Sequence, residues 1–312
     1  MRVLYMGTPS FAATVLEGIY AAGHEIVGVI SQPDKPKNRG MHLEPTPVKK
    51  AAMERGLGVE QPETLKNGAI LDYLEKTAPD IVVVVAYGKL LPEYVLKFPK
   101  YGCVNMHASL LPKYRGAAPI QWSILNGEAE TGVTAMYMEK GLDTGDMILK
   151  TRVSIEETDT AESLHDKLAE AASALAVETL SQIERGEATR EKQDDGASTY
   201  APLLTKELGE IRWDAPAKTI LNQIRGLYPW PGAYTYKDGQ LLKITKASMA
   251  EGKGEPGEVL VSRGRLIVAT GDGAISILEL QLAGKKKMPA AALLAGNPVE
   301  VGTKLGGNHV LL

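Results

Sequence analysis

The sequence predicts an α/β doubly wound sheet followed by a smaller, C-terminal antiparallel barrel of OB-like type. Three observations lead there. Apolar strand patterns alternate with amphipathic helix patterns through the first half of the chain. Residues 81–86 (IVVVVA) are apolar at every position, as a strand covered on both faces of a parallel sheet must be. Beyond residue 232 the pattern changes to short strands separated by Gly-rich turns. A length of 312 residues agrees with two domains at about 150 residues each.

Residues 3–6 form a short apolar run that ends at Gly7, and Pro9 and Ser10 open a helix reaching about residue 22. Residues 26–30 are a second strand, and 47–55 and 68–77 read as helices. The order β-α-β-α implies a parallel sheet, whose ligands bind beyond the carboxyl ends of its strands. Residues 133–138 are a further strand, and a helix starts near Pro119. Residues 160–185 form a long amphipathic helix with Thr160 as N-cap and Glu162 and Ser163 in its first turn. Residues 193–206 lose periodicity and carry Gly, Ser and Pro, the composition of an exposed linker. The domains expected are therefore 1–192, a linker at 193–206, and 207–312. In the second, Asp214 caps a helix that has Pro216 near its start and ends by Gly226. Strands at 234–236 and 241–245 flank a Lys237-Asp238-Gly239 turn, and strands at 259–261, 265–269 and 274–282 follow.

Hydrophobic residues make up 44% and charged residues 23%, the balance of a soluble globular protein. Net charge is −3, which excludes a uniformly basic nucleic-acid binder. The average hides a split: residues 205–312 carry 14 Lys+Arg against 10 Asp+Glu, or +4, leaving −7 for residues 1–204. Such asymmetry points to a polyanion partner on one half. The single cysteine, Cys103, excludes an internal disulfide and fits a reducing, cytoplasmic setting. No run approaches the ~18 apolar residues of a membrane helix, so no membrane association is expected. The N-terminus reads as a buried strand and not a signal peptide. His24, His42, His165 and His309 lack ligand spacing, so no metal is expected. Gly7-Thr8-Pro9 is not a dinucleotide fingerprint, and no P-loop is present.

The chemistry concentrates at residues 103–109. On a strand, Val104, Met106 and Ala108 share one face, and Asn105 and His107 share the other. An imidazole can move protons near neutral pH, and an amide NH₂ can donate to a developing oxyanion. The pair alone reads more readily as two satisfied polar groups closing a sheet. Asp143 lies in the Gly141–Asp146 segment after the 133–138 strand. Bracketed by Gly141 and Gly145, it can turn toward His107, pair with it and fix its tautomer, though a turn-forming Asp needs no such role.

The string N-x-H-x-S-L-L-P-x-Y-R-G-x-x-P, followed by G-x-D-T-G-D, resembles the folate-dependent formyltransferases. The resemblance extends along nearly the whole chain. Gln32-Pro33-Asp34-Lys35-Pro36, Arg39-Gly40, Pro45 to Lys49, Tyr228 to Ala233 and Gly284 to Met288 resemble the branch that acts on methionyl-tRNA. It implies a Rossmann-like catalytic domain, a basic OB-like tRNA-binding domain, 10-formyltetrahydrofolate as co-substrate, initiator methionyl-tRNA as partner, and a monomer. The formyl group would pass from N10 of the folate to the α-amine of methionine on initiator tRNA. An α-amine has a pKa near 8, so a neutral fraction is available and no covalent enzyme nucleophile is required.

The resemblance implies Asn105, His107 and Asp143 as the catalytic trio. Asn105 would donate to the oxyanion, and His107 would carry the proton from the attacking amine to the departing N10. Asp143 would orient and polarise His107. Tyr87, Gly88 and Leu90, with Ser109, Leu110, Leu111 and Pro112, would line the pterin pocket. The 34–44 loop would close on the acceptor end of the tRNA through Arg39, and Lys206, Lys285, Lys286 and Lys287 would contact the tRNA. Two alternatives stay open: a formyltransferase acting on another amine, such as a nucleotide sugar or glycinamide ribonucleotide, and a non-enzymatic RNA-binding protein.

Overall fold

Strands whose side chains are apolar on both faces must lie in the middle of a covered sheet, and Arg2–Gly7 and Ile81–Val85 do. The structure, a computed structural model, describes residues 1–37 and 42–307. In chain order its first part holds β1 (Arg2–Gly7), α1 (Ser10–Ala21), β2 (Glu25–Ile30), β3 (Lys35–Lys37), β4 (His42–Glu44), α2 (Pro47–Glu54) and β5 (Val59–Glu60). Next come α3 (Leu71–Thr77), β6 (Ile81–Val85), α4 (Glu93–Leu96), β7 (Cys103–His107), β8 (Arg115–Gly116), α5 (Pro119–Leu125), β9 (Glu130–Tyr137), β10 (Met147–Ser154), α6 (Ala161–Arg185) and β11 (Tyr200–Ala201). All five residues of β6 are buried. At about 1.5–3 kcal/mol per fully buried aliphatic side chain, this strand alone stabilises the sheet appreciably.

The seven-stranded sheet has the order β10-β9-β7-β6-β1-β2-β5. The β7, β6, β1, β2 and β5 strands pair in parallel. The parallel sheet expected from the β-α-β-α order is present in these five strands, and two more extend it, with β9 running antiparallel to both β7 and β10. A short loop joins β9 to β10, and a short loop returns the chain beside itself in the opposite sense. Segment 34–44, read as irregular, contains a small ladder that pairs Lys35 with Glu44 and Pro36 with Leu43. Below it Lys49 Nζ donates to Asp34 (2.6 Å) and to Gln61 (2.6 Å). Thr46 caps α2 by accepting from the Lys49 N–H (3.2 Å).

By its contacts the chain divides into two units. The first comprises Met1–Pro119, Glu130–Ser154 and His165–Ala201; the second takes Ile120–Ala129, Ile155–Leu164 and the chain from Pro202 onward. Residues 193–201, expected as part of an exposed linker, are only partly exposed. Gln193 and Ala201 are buried, and β11 pairs in parallel with β8. The backbone polar groups of β8 find their partners there.

The second unit contains α7 (Ala217–Gly226), β12 (Ala233–Lys237), β13 (Gln240–Ala250), β14 (Val259–Val261), β15 (Leu266–Ala269), β16 (Ala274–Leu282), β17 (Met288–Pro289) and α8 (Ala290–Gly296). The strands form a curled antiparallel sheet of order β12-β13-β16-β15-β14, with β17 on β16. Among the described residues no β12–β14 pairing closes it. The β12–β13 hairpin turns at Asp238 and Gly239, both at positive φ (48° and 76°), as its sequence predicts. Trp213, Ile220, Leu242, Ile277 and Leu293 belong to one buried cluster. Asp214 does not cap α7 as expected. Pro216 holds the N-cap position, and Asp214 pairs with Arg212 (3.0 Å).

Candidate functional site

Asn105 and His107 reach the carboxyl edge of the sheet because β7 lies between β6 and β9. Val84 pairs with Asn105, and His107 pairs with Thr134. The 86–90 and 108–112 loops therefore leave adjacent parallel strands at the same edge. Asn105 is half-buried, and its side chain has no hydrogen-bond partner among the described residues. Its amide hydrogens are available to a ligand.

His107 is buried, and each ring nitrogen faces a different group. Nε2 lies 2.8 Å from the carbonyl oxygen of Tyr114. A carbonyl only accepts, so Nε2 carries the hydrogen. Nδ1 faces Asp143 Oδ2 at 3.6 Å, beyond a direct hydrogen bond. The structure thus brings Asp143 and His107 together, but the Tyr114 carbonyl fixes the tautomer, not Asp143 as the sequence reading expects. Asp143 lies beside the nitrogen that is free to accept a proton. A proton arriving on Nδ1 would create an imidazolium against a carboxylate.

Asp143 is held from two sides. Its Oδ2 accepts from the Gly116 N–H (2.9 Å), and its carbonyl accepts from Gln193 Nε2 (2.8 Å). It sits at φ 53°, so the left-handed residue of the turn is Asp143 itself, which Asp tolerates better than most. Gly145 serves a different need, because a Cβ there would lie 1.8 Å from the Tyr137 carbonyl. Ala86 (φ 45°) and Tyr114 (φ 60°) are also left-handed at this edge. Strain of about 1–3 kcal/mol per residue persists only where surrounding contacts impose it.

The 109–112 loop is fixed by internal bonds. Ser109 Oγ donates to the Lys113 carbonyl (2.7 Å), and Thr134 Oγ1 donates to the Ser109 carbonyl (2.7 Å) while accepting from the Leu111 N–H (3.1 Å). Leu110, Leu111, Pro112 and Lys113 line a groove of about 630 Å³ with Glu130, Lys150, Thr151 and Arg152. Tyr87, Gly88 and Leu90 do not line that groove. The Tyr87 ring is buried in the core beside β1 and β6, and its hydroxyl has no partner among the described residues. Burial pushes its phenol up to about 12. Its backbone carbonyl accepts from Gln32 Nε2 (3.0 Å) and Thr8 Oγ1 (3.3 Å). Leu90 is largely exposed.

Arg39 lies outside the described residues. Lys206, Lys285 and Lys286 are exposed. Lys287 is tied down: its Nζ donates to Tyr228 Oη (3.1 Å), lies over the same ring and approaches Glu279 (3.3 Å). The Tyr228 hydroxyl, then Glu279, raise its pKa. The structure thus joins the 228–233 and 284–288 motifs, far apart in sequence. Tyr228, Lys243, Thr245, Gln281 and Lys287 line a cavity of about 170 Å³ beside them. Sequence reasoning assigned no role to Tyr114, Gly116, Thr134 or Gln193. The first two lie inside the quoted motif, whereas nothing in the local pattern marks Thr134 or Gln193.

Comparison with known proteins extends the resemblance. Residues 1–180 match the formyl transferase family model, and residues 203–298 match the model of the formyl transferase C-terminal domain. The methionyl-tRNA formyltransferase of Caldanaerobacter subterraneus subsp. tengcongensis is 51% identical over 98% of this chain and 100% of its own length. That of Geobacter sulfurreducens is 47% identical over 98% of this chain and 97% of its own. Among solved structures, an N-formyltransferase from Helicobacter canadensis, in complex with folinic acid and dTDP-3-aminofucose, superposes with a TM-score of 0.67 at 21% identity. That match covers 92% of this chain and 100% of the other, and it shows a shared fold.

Proposed function

The chain belongs to the formyl transferase family, and we propose that it transfers the formyl group of 10-formyltetrahydrofolate to the α-amine of methionyl-initiator tRNA. The product is formylmethionyl-tRNA for translation initiation. The observation that supports this reading is the edge of β7, where Asn105 stands two residues before His107 on the same strand and His107 Nδ1 faces the Asp143 carboxylate at 3.6 Å. The folate supplies an activated one-carbon unit at formyl oxidation level. The chain supplies a donor for growing negative charge and a base for one proton. Identity near 50% with curated relatives over full length favours methionyl-tRNA over a sugar or glycinamide acceptor.

Asn105 donates to the formyl oxygen as charge builds there, and the donor is in place before reaction. His107 takes the proton from the attacking amine on Nδ1 and hands it to N10, which as an aniline-like group must leave protonated. Asp143 holds the transient imidazolium. Backbone groups of residues 86–90 and 109–112 form the pterin pocket, Tyr87 through its main chain only. Lys206, Lys285 and Lys286 on the second unit meet tRNA phosphates. Arg39 meets the acceptor end, a role resting on its sequence context. An OB-like barrel for the second unit, a monomeric state and a cytoplasmic setting belong to the same proposal. Among the described residues no helix is long and apolar enough to cross a membrane.

The deciding assay measures formyl transfer from 10-formyltetrahydrofolate to Met-tRNA, with free methionine and glycinamide ribonucleotide as controls. Asn105→Ala should lower kcat by about 10²–10³, and His107→Ala by about 10²–10⁴. A folded His107→Ala variant that turns over like wild type at saturating folate would refute the assignment.

A further inference from the structure

Gln193 lies in a polar stretch that the sequence marks as linker, yet it is among the most fully bonded side chains of the first unit. It is 5% exposed. Its Oε1 accepts from Arg115 Nε (3.0 Å) and from a second guanidinium nitrogen of Arg115 (2.9 Å). Its Nε2 donates to the carbonyls of Asp143 (2.8 Å) and Gly145 (2.8 Å). A primary amide has two donor hydrogens and two acceptor lone pairs, and all four are used here. We propose that Gln193, gripped by Arg115, is a positioning residue that sets the Asp143 turn and, through it, the carboxylate beside His107 Nδ1.

The surrounding geometry favours this over simple filling of space. Asp143 is held at φ 53°, away from the relaxed backbone regions. A turn so constrained needs external contacts to stay in one conformation. Gln193 makes two of them, at both ends of the Asp143–Gly145 stretch. Arg115 is itself 3% exposed, and the Nη2 that donates to Gln193 also donates to Asp195 (2.7 Å). Two guanidinium nitrogens of Arg115 converge on the one Gln193 Oε1 and so hold the amide's orientation.

Three consecutive residues share the task. The Tyr114 carbonyl takes the His107 Nε2 hydrogen, Arg115 holds Gln193, and the Gly116 N–H meets the Asp143 carboxylate. This strip is anchored in turn by Thr199, whose Oγ1 accepts from the Tyr114 N–H (2.8 Å) and whose carbonyl accepts from the Arg115 N–H (2.8 Å). The distance between imidazole and carboxylate is therefore set by one short segment that contacts both, and by one amide that ties this segment to the Asp143 turn.

The inference rests on the roles proposed for His107 and Asp143. Its test is steady-state kinetics of formyl transfer to Met-tRNA for Gln193→Glu, Asp143→Ala and the double variant. Glutamate keeps the size and the Arg115 contact but replaces the donor with a carboxylate oxygen aimed at two carbonyls. Expected is a kcat lowered by up to about 10², the range for an ångström-scale misplacement. KM for both substrates should stay within about threefold, because no substrate contact is removed. In the Asp143→Ala background Gln193→Glu should add no further loss, since the residue it acts through is gone. Arg115→Lys keeps the charge but loses the fork, and should lower kcat in the same way if Gln193→Glu folds poorly. Wild-type kcat in Gln193→Glu with a slow Asp143→Ala overturns the positioning role alone. An equal loss in both backgrounds, or a rise in KM without a fall in kcat, also overturns it. A fast Asp143→Ala instead overturns the reading of the site on which this rests.

Discussion

Replacing Tyr87 with phenylalanine should stabilise the protein. The ring is 2% exposed among Leu4, Met6, Ile30 and Leu91, and the hydroxyl has no partner among the described residues. In the unfolded chain that hydroxyl is hydrated. Folding strips it of water and returns no hydrogen bond, a cost of about 1–3 kcal/mol for an unsatisfied buried group. The phenol pushed up to about 12 by burial expresses the same desolvation. Phenylalanine keeps the ring and sheds the penalty. It gives up a few dispersion contacts of the oxygen, each about 0.1–0.2 kcal/mol. The net expectation is a gain of about 1 kcal/mol, or about 2–4 °C in Tm for a domain of this size. Urea unfolding followed by circular dichroism measures it, and formyl transfer should be unchanged because the Tyr87 carbonyl remains. A loss of 1 kcal/mol or more would mean that the hydroxyl is bonded in solution, and would refute the reasoning. Unchanged stability with a raised folate KM would place the phenol, and not only the backbone, in the pterin pocket.

Cys103 is 2% exposed, and burial pushes its thiol up to about 12, so a disulfide reagent at pH 8 should label it only after unfolding. Its folded pKa is raised, so its contribution is complete below the unfolded thiol value and is lost as pH rises above it; wild type should lose about 1.4 kcal/mol per pH unit relative to Cys103→Ala between the two values. Equal alkaline profiles for the two proteins would contradict this. Thr134→Val strands the Ser109 carbonyl and the Leu111 N–H, and should cost about 1–3 kcal/mol while raising the folate KM more than it lowers kcat; an unchanged KM would remove the 109–112 loop from the pocket. Lys285→Ala and Lys286→Ala should each lower the slope of log Kd for tRNA against log salt by about 1 if each lysine meets a phosphate; a parallel shift without a slope change would argue against that contact.

Much of the fold is legible because burial writes itself into periodicity. The all-apolar β6, the alternation that puts Asn105 and His107 on one face of β7, and the Asp238-Gly239 hairpin are local patterns with local causes. The antiparallel sense of β9 and β10 is not, because strand direction depends on which neighbour the chain returns to, and a 133–138 strand reads alike in either sense. Thr160 was legible as a cap and receives the Ser163 N–H (3.2 Å), whereas Asp214 was a plausible cap displaced by Pro216. The residues of the site were likewise visible as a motif, but the arrangement around them was not. Gln193 stands 78 residues from Arg115 and 50 from Asp143.

The sequence by itself determined which chemistry is present: an amide and an imidazole two residues apart on a strand, an aspartate in a turn, and a basic half distinct from an acidic one. Side-chain alternation and charge are properties of neighbours along the chain, and no folding is needed to read them. Only the tertiary structure decided how those groups are poised: which imidazole nitrogen holds its hydrogen, that the Tyr114 carbonyl fixes it, and that the linker-like 193–201 stretch braces the Asp143 turn. Hydrogen bonds act over about 3 Å of space and carry no signature in sequence separation, so orientation at the site follows from the folded chain alone.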